Sequence, residues 1–141
     1  MAAFNKINQF VEDCTKGVHD FTSDGTCSVT VALTTAANAP VATNSVLADL
    51  TEIAYTNLSS RVITGITCEQ TTGTVTMTAT DLVLTSSGGT TGPFRYVAIY
   101  NDDPTSPANP LIGWWDRGSD LTLEDGDSLT LDFTTGILTL A

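Results

Sequence analysis

The chain has 141 residues, of which 41% are hydrophobic and 15% charged, and five basic residues face sixteen acidic ones, giving a net charge of −11. A chain of this length can bury a sizeable core in one domain, here residues 1–141, without disulfide bonds or metal. The negative charge argues against binding to nucleic acid or to anionic membranes, because both depend on basic side chains. The 26 threonines favour strands, since β-branched side chains suit a pleated sheet.

The first predicted element is a helix over residues 4–17. Its apolar residues recur at spacings of three and four, at Phe4, Ile7, Val11, Cys14 and Val18, with Phe10 beside them. Lys16 and Gly17 form a typical helix end, with a cation near the negative end of the dipole and then a residue that tolerates a left-handed backbone. Such a short helix must pack on something. It could cap the core of its own domain or dock as an arm on a neighbouring subunit.

The pattern changes to strands from Ser28 onward. Val29, Val31 and Leu33 alternate with smaller or polar residues, which predicts a half-buried strand. A loop over 35–43 and a short helix or helical turn over 46–53 follow. The remaining strands are predicted at 61–69 with a bulge at Gly65, at 74–80, 82–84, 94–101, 111–117, 121–123, 129–133 and 137–140.

Two of these segments carry more specific predictions. Phe94–Asn101 is apolar on both faces, which indicates a strand in the middle of a sheet that is packed on another sheet. Asp125 and Gly126 lie between two apolar runs, which predicts a hairpin. The whole pattern predicts a mainly β protein, an antiparallel, jelly-roll-like β-sandwich with one N-terminal α-helix.

No residue pattern indicates an enzyme, a metal site or another cofactor. His19 is the only histidine, no serine lies in a G-x-S-x-G elbow, and we expect His19 on the surface near the helix end. The carboxylates most suited to calcium do not follow EF-hand spacing; they are Asp102, Asp103, Asp120, Glu124, Asp125 and Asp127.

The cysteines and the N-terminus bear on redox state and location. Cys14, Cys27 and Cys68 are widely spaced and include no C-x-x-C pair, so we expect reduced, mostly buried thiols in a protein made in a cytoplasm. The first 17 residues lack the apolar core of a signal peptide, and no run of about 18 apolar residues predicts a membrane span.

Aromatic residues give the best indication of binding. Trp114 and Trp115 are neighbours on a strand, so they must point to opposite faces. We therefore expect at most one of them in the sandwich core, unless the helix or a second subunit covers the other. An exposed tryptophan could be a platform for a sugar or an anchor for a protein partner.

Four stretches of the sequence resemble small virion proteins of tailed bacteriophages: FNKINQFVEDCTKGVHDF, PVATNSVLADLTEIA, GPFRYVAIYNDDPTSPANPLIGWWDRGS and LTLEDGDSLTLDF. The resemblance is densest from Gly92 to Phe133. It implies a capsid decoration, or cement, protein made in the host bacterial cytoplasm and bound to the outer capsid surface of the virion. The implied partners are the major capsid protein and further copies of this chain in a dimer or trimer. No catalytic residue comes with the resemblance.

The predicted protein interface combines the N-terminal helix with the open side of the strand at 111–117. Its residues are Phe4, Ile7, Phe10, Val11, Trp114 and Trp115. A tail structural protein and a carbohydrate-binding or host-adhesion module are the alternative functions. The first would polymerise into rings, and the second would need an exposed aromatic platform.

Overall fold

The longest elements form one antiparallel pair at the centre of the molecule. In the computed structural model, which describes residues 2–21 and 27–141, β7 (Thr91–Asn101) pairs with β8 (Leu111–Leu123). Phe94, Ala98 and Ile99 of β7 are buried, which confirms the prediction of a mid-sheet strand. β8 unites two predicted strands, because pairing with β7 continues from Leu111 through Leu123.

β7 and β8 lie inside a five-stranded antiparallel sheet. Its order is β1 (Asn5–Lys6), β8, β7, β2 (Val29–Thr34) and β3 (Val62–Ile63). All six residues of β2 are buried, so the prediction of a half-buried strand is wrong. Its threonine side also lies beneath other parts of the chain instead of facing water.

Two smaller antiparallel sheets complete the described part of the chain. One has the order β10 (Leu138–Leu140), β5 (Thr74–Thr78) and β4 (Thr67–Thr71), and the other pairs β6 (Leu82–Thr85) with β9 (Ser128–Leu131). Buried residues of the large and small sheets join one core cluster. The mainly β, antiparallel architecture with a helix near the N-terminus is therefore confirmed.

The predicted hairpin around Asp125 and Gly126 is wrong. A turn does form, because the Asp127 amide donates to the Glu124 carbonyl at 2.9 Å. The strands on either side do not pair with each other, since β8 pairs with β7 whereas β9 pairs with β6. The Ser86 amide donates to the Asp127 carbonyl at 2.9 Å, which directs the chain after the turn toward β6.

Two shorter predictions have different outcomes. The predicted strand at 61–69 is interrupted at Gly65, whose φ of +66° ends β3 before β4 starts in another sheet. For the segment at 46–53 the helical-turn alternative is confirmed, since the structure has a 3₁₀ turn there, Leu47–Asp49. Asp49 Oδ2 accepts hydrogen bonds from the Ser45 and Val46 amides at 2.7 and 3.2 Å, and these bonds lower the pKa of the Asp49 carboxyl.

The N-terminal helix is shorter than predicted. The helix α1 spans Asn8–Thr15, and Phe4 precedes it in extended chain. Residues 5 and 6 form β1 on the edge of β8, and the Ile7 amide donates to the Ile112 carbonyl at 3.1 Å. These bonds to β8 replace the helical bonds that Phe4 and its neighbours would otherwise make. The helix end at Gly17 is confirmed. Gly17 has a φ of +71°, and its amide donates a hydrogen bond to the Cys14 carbonyl at 3.3 Å.

The orientation of α1 also differs from the prediction. Phe10 is fully buried, whereas Val11 is 43% exposed. Asp13 is buried one turn beyond Phe10, so this polar residue shares the inner face of the helix. The helix starts only at Asn8, after an extended segment, and this later start rotates Val11 away from the core.

We predict that Phe10→Ala lowers the free energy of unfolding by about 3–5 kcal/mol, because a buried aromatic side chain is removed and a cavity remains. Val11→Ala is the matched control on the neighbouring position and should change it by about 0.5 kcal/mol or less. Denaturant titration of both variants measures this difference. Equal stability of the two variants would show that Phe10 does not hold the helix to the core.

We also predict that Gly113→Ala displaces β1. A Cβ on Gly113 would overlap the Phe4 ring and the Asn5 carbonyl oxygen, and overpacking costs about 1–3 kcal/mol. Gly126→Ala is the control, because a Cβ at Gly126 would meet no atom within 4 Å. This variant should lose stability only because alanine disfavours the left-handed backbone at this position. Hydrogen exchange of the Ile7 amide should accelerate in the first variant much more than in the second.

Candidate functional site

Most residues of the predicted interface lie inside the domain. Ile7, Phe10 and Trp115 are buried, and the Phe4 ring packs against Trp115 with centroids 5.1 Å apart. Gly113 leaves the space that the Phe4 ring occupies. The N-terminal segment therefore packs on its own domain in this structure, and the arm interpretation has no support from these contacts.

Trp114 and Trp115 point to opposite sides of β8, as their adjacent positions predict. Trp115 is buried against Phe133, with centroids 5.9 Å apart, whereas Trp114 is half-buried. β1 pairs with β8 opposite Gly113 and Trp114, so the side of this strand that was predicted to be open is partly filled. Of the six predicted interface residues, the most exposed is Val11.

An open cleft of about 610 Å³ lies between the N-terminal segment and the sheet β10–β5–β4. Phe10 and Phe21 form one side, and apolar residues of β5 and β10 form the other. The polar residues of its lining are Cys14, His19, Thr67, Cys68 and Glu69. The sequence analysis did not predict this cleft, because its walls come from segments that are far apart in the chain.

His19 is buried at the edge of this cleft, so the prediction of a surface histidine is wrong. Its ring stacks on Phe21, with centroids 5.4 Å apart, and lies 5.0 Å from the Phe10 ring. The spacing of two between His19 and Phe21 was the available signal, because alternate residues of an extended segment share a face. Burial lowers the pKa of His19 to about 4, although the charge of Asp13 acts in the opposite direction.

Because its pKa is about 4, the His19 imidazole is neutral at pH 7, and one ring nitrogen carries the proton while the other accepts hydrogen bonds. The Asn101 amide nitrogen lies 3.4 Å from His19 Nδ1, and an amide NH₂ can only donate. Nδ1 is then the acceptor, and the proton lies on Nε2. Nε2 is buried and has no hydrogen-bond partner among the described residues.

The two thiols in the cleft are not activated. Cys14 is half-buried and Cys68 is exposed, and both are free. Burial raises the pKa of each thiol, and for Cys14 the charges of Asp13 and Cys68 add to this effect. Because the thiolate is the reactive form, neither cysteine has the environment of a nucleophile. The exposure of Cys68 also departs from the prediction of mostly buried thiols.

The acidic residues considered for calcium are not brought together. Within the described ranges, no three His, Cys, Asp or Glu side chains form a group that could hold a metal ion. Asp125 and Asp127 instead support the loops beside them. Asp125 Oδ1 accepts from the Gly88 amide at 2.8 Å, and Asp127 Oδ2 accepts from the Glu124 amide at 3.1 Å.

The chain matches no known protein family, no curated protein and no solved structure. Among the described residues, no helix has the length and apolar character needed to cross a membrane. The contacts of the described residues are therefore the structural basis for proposing a function.

The burial of His19 generates a prediction on pH. The unfolded chain binds the proton with a pKa of about 6.5 and the folded chain with one of about 4, so the unfolded state binds more protons between these values. The free energy of unfolding should therefore fall as the pH is lowered from 7.5 to 5. We expect His19 to account for about 1–2 kcal/mol of this loss.

His19→Phe is the comparison, because it keeps an aromatic ring and cannot titrate. Its free energy of unfolding should change less over the same pH interval, measured by denaturant titration. The carboxyls of Glu12, Asp49 and Asp116 have lowered pKa values and stay ionised at pH 5, so they contribute little in this range. An identical pH dependence in the two proteins would contradict the assignment.

Proposed function

We propose that this chain is a structural virion protein of a tailed bacteriophage and decorates the outer face of the assembled capsid. The sequence resemblance described above motivates the proposal. The structural observation that supports it is the distribution of charge on a mainly β fold. In this proposal the partner is the major capsid protein, and the chain acts as a dimer or trimer at a symmetry axis of the capsid.

The charge argument concerns which side of the capsid the protein can occupy. Only five residues are basic, and three of them pair with carboxylates of the chain itself: Lys16 with Glu12, Arg61 with Glu52, and Arg95 with Asp116. The remaining surface is strongly acidic and would be repelled by packaged DNA. An outer position keeps the protein away from that charge.

The contact surface should use side chains that the fold leaves accessible. The large hydrophobic residues exposed in the described part of the chain are Val11, Val41, Val62 and Val83. Val41 lies among small side chains in the sequence, whereas Val11 precedes Glu12 and Val62 follows Arg61, so contact at Val41 would desolvate the fewest ions. A site shared by neighbouring capsomers would add several such weak contacts.

The tail and sugar-binding alternatives make different demands. A sugar platform requires an open aromatic face, and Trp115 is buried while Trp114 is half-buried, which weighs against it. A tail protein would share the virion location. Electron micrographs of particles that carry a label on this chain separate head from tail directly.

We predict that the protein sediments with assembled shells of the phage that encodes it, raises their resistance to heat, and binds free capsid subunits weakly. A ligand that binds only the lattice stabilises the lattice. Val41→Glu, Val62→Glu and Val83→Glu are tested one at a time. Where the substituted valine lies in the contact surface, less protein should sediment with the shells. Ser119→Glu, an exposed position on β8, is the control for added charge. A wild-type protein that leaves shells undecorated contradicts the proposal.

A further inference from the structure

We propose that the cleft between the N-terminal segment and the sheet β10–β5–β4 binds a small uncharged molecule that has an apolar body and one oxygen acceptor, as in a medium-chain alcohol or ketone. This site is independent of the proposed role in the virion. It rests on three properties of the cleft, namely its apolar walls, its unpartnered hydrogen-bond donor and the charges around it.

The size and walls of the cleft suit a small ligand. Its volume of about 610 Å³ lies within the range of roughly 300–1,000 Å³ that is typical of ligand sites. Val75, Met77 and Leu138 come from the sheet, while Phe10 and Phe21 face them from the N-terminal segment. A hydrocarbon chain or ring placed here would leave water for an apolar surface, which is favourable in proportion to the area buried.

The donor of the site is His19 Nε2–H. The Asn101 amide occupies the other ring nitrogen, which leaves the Nε2 proton to donate. Nε2 is shielded from solvent and has no partner among the described residues, and an unmade hydrogen bond of this kind is costly. A ligand oxygen would provide the missing acceptor.

The surrounding charges favour an uncharged ligand over an anion. No lysine or arginine is among the described residues that line the cleft, and Glu69 lies in its wall. Asp13 is close enough to His19 to raise the pKa of the imidazole, although burial outweighs this effect and the ring is neutral at pH 7. A carboxylate ligand would thus meet Glu69 in the wall and Asp13 near His19, whereas Lys6, whose charge lowers the pKa of Cys14, lies outside the lining.

Met77 provides a direct probe of occupancy. The chain has two methionines, Met1 and Met77, and only Met77 is among the described cleft residues. Full-length protein labelled with ¹³C on the methionine methyl groups therefore gives two signals, and Met77→Leu assigns them. Titration with 1-octanol should shift the Met77 signal saturably, whereas octanoate at pH 7 should bind at least about tenfold more weakly. No saturable shift, or equal affinity for both compounds, overturns the proposal.

Cys68→Trp, with Thr71→Trp as its control, tests where the ligand binds, and His19→Phe tests the hydrogen-bond donor. Cys68→Trp places a large side chain at the mouth of the cleft and should abolish the response to 1-octanol. Thr71→Trp, also exposed on β4 but outside the cleft lining, should leave the response unchanged. His19→Phe should weaken 1-octanol binding about fivefold to tenfold, the size expected for the loss of one hydrogen bond. The ratio of the affinity for 1-octanol to that for octanoate should therefore become smaller.

The two tryptophan variants together decide whether the ligand binds in the cleft. Loss of binding in Cys68→Trp with retention in Thr71→Trp supports a ligand in the cleft, and thermal melting of both variants checks that they are folded. If His19→Phe does not fold, the comparison of the two tryptophan variants still decides the position. Unchanged 1-octanol binding in Cys68→Trp overturns the assignment of the cleft. A cleft that takes no small molecule would instead be a place for the side chain of a protein partner.

Discussion

The pairing of β7 with β8 is the constraint on which the other elements depend. These two strands carry most of the buried residues at the centre of the large sheet, and each offers its outer edge to a further strand. β2 takes the edge of β7, and β1 takes part of the edge of β8. Because antiparallel pairing fixes register residue by residue, placing this central pair also places the N-terminal segment and the helix that follows it.

The edges of the large sheet are closed by specific side chains as well as by short strands. Beyond β3, the Leu33 amide of β2 donates to the Tyr55 hydroxyl at 2.8 Å, and that hydroxyl donates to Glu52 at 2.6 Å. The Arg61 guanidinium lies 3.7 Å from the centre of the Tyr55 ring and donates to the Val31 carbonyl. Backbone groups that could recruit another strand are thus occupied. The edge of β4 contrasts with this, since all five of its residues are exposed.

The same docking of the N-terminal segment links the fold to both proposals. By burying Ile7 and Phe10 it removes the helix from the surface that was expected to bind a partner, and it shifts the proposed capsid contact to exposed valines. It also brings His19 and Phe21 over the sheet β10–β5–β4 and so forms one wall of the cleft. The lack of a described partner for His19 Nε2 is a consequence of this packing, because the ring is held between aromatic neighbours and the Asn101 amide.

The sequence by itself determined the features that depend on local pattern. Period-two alternation identified most strands, the apolar character of Phe94–Asn101 placed β7 inside a sheet, and Gly17 marked the end of the helix. Adjacent Trp114 and Trp115 had to face opposite sides. The tertiary structure alone decided which strands pair: β9 joins β6 instead of β8, and residues 5–6 form a strand on β8 instead of a helical turn. Periodicity reports how a segment can bury one face, but the partner that covers that face depends on contacts between segments far apart in the chain, and so do the burial of His19 and the cleft beside it.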